Sequence, residues 1–168
     1  MNKFRRRLYK NPREFIEDIR FIMPNRALIK RAMRGDLISA AFRERLMMVV
    51  TQVNGCRYCS YFHAKEALKA GVPEAELQAI LEGCVPESIP QGEYVGLLYA
   101  QHWAESNAQP DPAAIQKLTE TYGKEKADAI HIILRMIRVG NLLGNFGDYL
   151  LYLISFGKLG LTEAEKAH

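Results

Sequence analysis

The sequence lacks any run in which β-branched residues alternate with polar ones, the pattern typical of a half-buried β-strand. Its apolar residues recur instead three and four positions apart, in segments separated by short connections rich in proline and glycine. Hydrophobic residues make up 48% of the 168 residues, enough for one domain with a real core. We therefore expect an all-α fold, a single-domain antiparallel bundle of about seven to eight helices.

Long apolar runs are missing as well. No stretch approaches the roughly 18 uninterrupted apolar residues of a membrane span. The closest, residues 129–156, is interrupted by polar and charged side chains, so a buried helix is expected there. No apolar signal region follows the charged N-terminus, and there are only three cysteines. These absences favour a protein of the reducing cytoplasm that has no membrane partner.

Positive charge is concentrated at the start of the chain. Residues 1–34 hold eleven Lys or Arg against three Asp or Glu, whereas the rest of the chain holds twelve against sixteen. A basic segment can bind nucleic acid or a membrane surface, but no recognisable nucleic-acid motif follows it. We therefore expect no nucleic-acid partner, and an arm that is solvated or docks on a neighbouring subunit.

The expected organisation is one domain in three parts. Residues 1–35 form a basic N-terminal arm with short helices, residues 36–157 form the main helical domain, and residues 158–168 form a polar tail. Within the main domain, Asp36 is the expected N-cap of a helix from Leu37.

Two cysteines and a histidine stand at the spacing C-x-x-C-x-x-x-H, directly after an Asn-Gly turn. If Gly55 ends one helix and Cys56 opens the next, then Cys56, Cys59 and His63 fall within roughly 60° of arc on one helix face. The first turn of a helix favours an anion, and a thiolate is such an anion. The motif therefore predicts redox-active thiols.

Glu44 lies on the preceding predicted helix, eleven residues before Gly55, and His63 lies eight residues after that glycine. In an antiparallel hairpin these distances place the two side chains at similar height above the turn. A carboxylate in this position would orient the imidazole and raise its basicity.

Two other interpretations of the motif remain open. The cysteines could be a pair of core residues, because free cysteine is among the most buried residue types. Alternatively, Cys56, Cys59, His63 and Glu44 could hold zinc, although structural zinc sites usually draw their ligands from turns as well as a helix. The third cysteine, Cys84, has no partner at motif spacing and is expected to be a buried or interface thiol.

The sequence has a glutamate, then eleven intervening residues, then C-x-x-C-x-x-x-H. This pattern resembles that of the alkylhydroperoxidase D-like and carboxymuconolactone decarboxylase family. The likeness is good over about residues 36–83. Members proper of the alkylhydroperoxidase D type carry a second histidine just before the second cysteine, where this chain has Tyr58, and their motif lies later in the chain. Both departures favour the broader peroxidase-related branch.

The resemblance implies a thiol-dependent hydroperoxide reductase or disulfide oxidoreductase with four catalytic residues. His63, oriented by Glu44, would take the proton of Cys59 directly or through water, and the Cys59 thiolate would attack a hydroperoxide. Cys56 would then resolve the sulfenic acid as a disulfide. Because Cys56 is nearer the helix end, we expect it to be the more exposed thiol and to meet the reductant.

The expected partners are a small hydroperoxide, a dithiol reductant such as a thioredoxin-like or lipoyl protein, and further copies of the chain in a trimer or hexamer. No metal, flavin or nucleotide cofactor is expected, and the sequence has no Gly-rich phosphate loop.

Two alternative functions are a lyase of the carboxymuconolactone type, which would use His63 and Glu44 alone, and a non-enzymatic zinc-binding module. Asn141 and Asn145 are expected to be buried hydrogen-bonding groups and not catalytic ones.

Overall fold

A computed structural model describes residues 3–166, and within this range every regular element is a helix. The predicted all-α fold is confirmed. Residues 1–2 and 167–168, which complete the predicted arm and tail, lie outside the described residues. The helices are α1 (Pro12–Ile22), α2 (Arg26–Arg34), α3 (Ala40–Asn54), α4 (Arg57–Lys69), α5 (Glu74–Leu81), α6 (Gln91–Glu105), α7 (Pro112–Ile154) and α8 (Glu163–Lys166), with a 3-10 turn at Met23–Asn25.

The start of α3 differs from the prediction. Asp36 was expected to cap a helix from Leu37, but α3 begins at Ala40 and its N-cap is Ser39. The Ser39 hydroxyl accepts a hydrogen bond from the backbone N–H of Phe42 at 3.1 Å. Both Ser and Asp are good caps, so local sequence does not choose between two positions three residues apart.

Helix α3 lies at the centre of the bundle. It packs against α2, α4, α5, α6 and α7, and its side chains are buried around almost the whole helix. Such a helix carries its polar residues into the interior, where they need partners. Arg45 of α3 accordingly pairs with Glu76 at 2.7 Å and with Glu93 at 2.9 Å.

The basic N-terminal arm packs on the body of its own chain. The backbone N–H of Arg7 donates to the carbonyl of Asn54 at 3.3 Å, and the Arg7 guanidinium donates to the carbonyl of Ala104. The side-chain amide of Asn145, on α7, donates to the carbonyls of both Arg7 and Asn54. The expectation of a solvated arm was therefore wrong for this segment.

The C-terminal segment meets the arm on the same side of the molecule. Leu161 is buried, and the Arg6 guanidinium contacts the carbonyl of Gly160 and the carboxylate of Glu165. The two ends of the described chain are thus joined near the end of α7.

The residues of α7 form two helical segments that meet at Gly123, whose backbone is not helical (φ 73°, ψ 160°). Among residues 3–166, no helix is both long enough and apolar enough to span a lipid bilayer.

Candidate functional site

The Cys-x-x-Cys motif begins at the turn between α3 and α4. Gly55 ends α3 in the left-handed conformation (φ 76°), which glycine adopts without steric cost. Cys56 follows as the N-cap of α4, and its sulfur accepts a hydrogen bond from the backbone N–H of Cys59 at 3.4 Å. The sulfur of Cys56 therefore occupies the place that a capping oxygen takes in other helices.

The two sulfurs of the motif lie together. Cys56 and Cys59 are both free, and their Sγ atoms are 2.7 Å apart, compared with about 2.05 Å in a disulfide. A disulfide between them therefore requires only a small movement.

The exposure of the two thiols is the reverse of our expectation. Cys56 is 0% exposed, whereas Cys59 is partly exposed. The reason is α7: a Cβ atom added to Gly144 would lie 3.0 Å from the Cys56 sulfur, so this helix covers the first thiol. The third cysteine, Cys84, is exposed.

Glu44 and His63 meet across the α3–α4 hairpin. Nδ1 of His63 lies 2.8 Å from Oε2 of Glu44, and Nε of Arg43 donates to the other carboxylate oxygen at 3.0 Å. Burial alone would raise the pKa of Glu44, but the hydrogen bonds with His63 and Arg43 outweigh it and hold that pKa below its usual value. The carboxylate is thus ionised and fixes one ring nitrogen of His63.

The electrostatics of the two thiols differ. The side-chain hydrogen bond with Cys59 lowers the pKa of Cys56. Burial opposes this effect, but the backbone N–H groups of Cys59 and Tyr58 add to it and bring the pKa to about 7. The same hydrogen bond to Cys56, together with burial, raises the pKa of Cys59. The hydrogen bonds at the N-cap therefore favour Cys56 over Cys59 as the first of the two thiols to ionise.

The sequence did not single out Asn141 as a site residue, yet its side chain reaches Cys59. It hydrogen-bonds to Cys59 and so partly offsets the rise in the pKa of that thiol. Its amide also donates to Thr51 at 3.1 Å, and its oxygen accepts from Asn54 at 3.1 Å. The signal was its position on a largely apolar helix, one turn from Asn145, where a buried amide must find partners.

In the part of the chain that the structure describes, His63 makes no hydrogen bond to either thiol. Its Nδ1 is taken by Glu44. This arrangement favours transfer of the Cys59 proton to His63 through a bridging water, one of the two routes expected from sequence.

A buried carboxylate lies beside the motif. Asp148 of α7 accepts hydrogen bonds from Tyr58 at 2.8 Å, from Arg57 at 2.7 Å and from Arg6. Burial favours a raised pKa for Asp148, but these donors reverse the effect and keep the pKa low. Tyr58, which stands where the related proteins have a second histidine, is thus held by its hydroxyl while its ring stays half exposed.

The zinc alternative finds no support in this arrangement. Over the described part of the chain, no three His, Cys, Asp or Glu side chains converge in a way that could hold a metal ion.

Substitution of Gly144 tests the close approach of α7 to Cys56. Gly140 lies one turn away on the same helix, and a Cβ there would meet nothing within 4 Å. Gly140→Ala should stabilise the protein by about 0.5–1 kcal/mol, whereas Gly144→Ala should be less favourable than this control by about 1–2 kcal/mol because it crowds the sulfur. Urea unfolding measures both.

In a Cys56→Ala background the difference between the two glycine substitutions should disappear, because the crowded atom is gone. Equal effects of the two substitutions in the parent chain would contradict the contact.

Neither the curated proteins nor the solved structures provide a match to the chain. Residues 25–88, however, match the sequence model of the carboxymuconolactone decarboxylase family. The matched segment includes Glu44, Cys56, Cys59 and His63, the four site residues predicted from the sequence, but not the residues of α7 that cover them. Over residues 25–88 the chain is thus similar to the carboxymuconolactone decarboxylase family.

Proposed function

We propose that the chain is a thiol-dependent hydroperoxide reductase of the alkylhydroperoxidase-like type, with a Cys-x-x-Cys pair and a Glu-His proton relay. The supporting observation is the pair of free sulfurs 2.7 Å apart, one favoured as a thiolate and the other partly exposed. A second support is the ionised Glu44 that holds His63 on the same hairpin.

The first step is attack on the peroxide by Cys59. This thiol is the more accessible of the two, and it lies one helical turn before His63. His63, oriented by Glu44, accepts the Cys59 proton through water, and the thiolate attacks the distal peroxide oxygen. The O–O bond breaks, the sulfur becomes a sulfenic acid, and the departing alkoxide takes up the proton to leave as alcohol.

The second step is resolution by Cys56. Its thiolate, favoured by the N-cap position and close to the other sulfur, attacks the sulfenic sulfur of Cys59. Hydroxide leaves and takes a proton from solvent, which replaces the proton that Cys56 gave up to solvent when it ionised, and a Cys56–Cys59 disulfide forms. Over both steps, two thiols and one hydroperoxide give one disulfide, one alcohol and one water.

The cycle closes with an external dithiol, such as a thioredoxin-like or lipoyl protein. An incoming thiolate reaches the exposed sulfur of Cys59 and not the buried sulfur of Cys56. Cys56 is also the better leaving group, because its pKa is the lower of the two. The mixed disulfide is therefore expected at Cys59, and the second thiol of the dithiol then releases the enzyme.

The test is hydroperoxide consumption by the full chain with excess dihydrolipoamide. Cys59→Ser should lower the turnover by about a hundredfold or more, because no other thiol is placed to attack. Cys56→Ser should also lose turnover but still form a sulfenic acid at Cys59. Cys84→Ser is the matched control and should keep the parent rate, because this cysteine lies outside the motif.

Parent-like consumption by Cys59→Ser would sink the proposed function. If that variant instead keeps a decarboxylase activity of the parent chain, the lyase alternative that uses His63 and Glu44 takes its place.

We also propose that the chain forms a homo-oligomer, a trimer or hexamer, through the C-terminal half of α7. A series of large apolar side chains is exposed there, more than single surface residues would explain. They are Leu143, Phe146, Leu150, Leu151, Leu153, Ile154 and, just beyond the helix, Phe156.

Sedimentation velocity should give a mass that is a multiple of the chain mass. Ile154→Glu should shift the protein towards monomer, because it buries a charge in the interface. The control is Met23→Glu, which changes an exposed apolar residue on the 3-10 turn and should leave the mass unchanged. A monomeric parent chain would contradict self-association.

A further inference from the structure

The N-terminal arm crosses the turn from which the thiol motif begins. The stem of Arg6 lies against Gly55, where an added Cβ would be 3.0 Å from Cγ of the arginine. One residue later, the backbone N–H of Arg7 donates a hydrogen bond to the carbonyl of Asn54. The side-chain amide of Asn145 donates to the carbonyls of Arg7 and Asn54 at 2.9 and 2.8 Å and so links the two segments. The arm is therefore part of the wall of the site.

Arg6 brings a positive charge into this wall, where solvent hardly reaches it. Its side chain is only 6% exposed, and its guanidinium contacts Asp148, the carbonyl of Gly160 and Glu165. The Asp148 side chain is fully buried and also binds Arg57 and Tyr58, the two residues that directly follow Cys56. These contacts fix the guanidinium beside the start of α4.

We propose that Arg6 is a positioning residue of the redox site: the arm delivers a fixed, buried cation that stabilises the Cys56 thiolate, and Asp148 holds that cation in place. The proposal rests on the proposed function, in which this thiolate is the resolving nucleophile and the leaving group.

The physical basis is weak screening. Charges that are sheltered from solvent act on each other more strongly than exposed ones. The positive charge of Arg6 is one of the contributions, after the hydrogen bonds within the motif, that lower the pKa of Cys56. Asp148, of opposite sign, must act against Arg6, so the two residues should move the titration of the thiol in opposite directions.

Several titratable or charged groups surround the motif, from each element that packs on it. They are Arg57, Tyr58, Cys59 and His63 of α4, Glu44 of α3, Asp148 of α7, Glu165 of the C-terminal segment and Arg6 of the arm. Of these, Arg6 and Asp148 can be changed without altering the second thiol or the Glu44–His63 pair.

The experiment is a pH titration of the reduced chain that follows the ultraviolet absorbance of thiolate, in a Cys84→Ser background. This readout needs neither a peroxide nor access to the buried sulfur. The first thiolate of the pair should appear with a midpoint near 7. Arg6→Met should raise the midpoint by about 0.5–1 pH unit, and Arg6→Lys, which keeps the charge, should restore most of the shift.

Two further variants make the test specific. Arg5→Met removes the same charge from the neighbouring exposed side chain and should leave the midpoint within about 0.2 units of the parent value. Asp148→Asn should lower the midpoint, because Arg6 keeps Gly160 and Glu165 as partners while losing the charge that opposes it. A purely structural role of the ion pair does not give shifts of opposite sign.

An unchanged midpoint in folded Arg6→Met overturns the proposal, even where the parent chain reduces hydroperoxides. If Arg6→Met does not fold, Asp148→Asn decides: a lower midpoint supports the proposal, and an equal or higher one overturns it. Opposite shifts in a chain that consumes no hydroperoxide would sustain the role of Arg6 and refute only the proposed function.

Discussion

The site depends on one placement: Cys56 is the N-cap of α4 and at the same time lies beneath α7. As a cap, its sulfur receives the Cys59 backbone N–H at the positive end of a helix, where a thiolate is stabilised. As a residue covered at Gly144, it is closed to solvent. The two cysteines of one short motif thereby acquire different properties. The thiol that is favoured as a thiolate is buried, and the other thiol is the one that an external molecule can reach.

Buried charge pairs support this division from two sides. On one side, α3 presents an ionised Glu44 to His63, so the imidazole is held in one orientation near the partly exposed thiol. On the other side, the carboxylate of Asp148, on α7, accepts hydrogen bonds from Arg6 and from the first two residues of α4. Removing one partner of a buried pair leaves an uncompensated charge, so both pairs tie the shape of the site to its electrostatics.

Spacing in the sequence was enough to place Cys56, Cys59 and His63 on one face and to bring Glu44 to His63, because a helical hairpin is local and periodic. It was not enough to predict which thiol is buried. That depends on Gly144 of α7, some ninety residues further along the chain. The docking of the arm was missed for the same reason, since Arg6 and Asp148 are 142 residues apart. Contacts of this range leave no periodic signal, and a basic segment looks the same whether it is solvated or packed.

The most direct measurement is a thiol count by mass spectrometry on the reduced chain, before and after one equivalent of an organic hydroperoxide. The account predicts the loss of two thiols, a Cys56–Cys59 disulfide in the peptide map, and Cys84 still free, because the two motif sulfurs are already 2.7 Å apart. If both motif thiols remain free, or if oxidation falls on Cys84 instead, the motif is not the reactive centre and the account is contradicted.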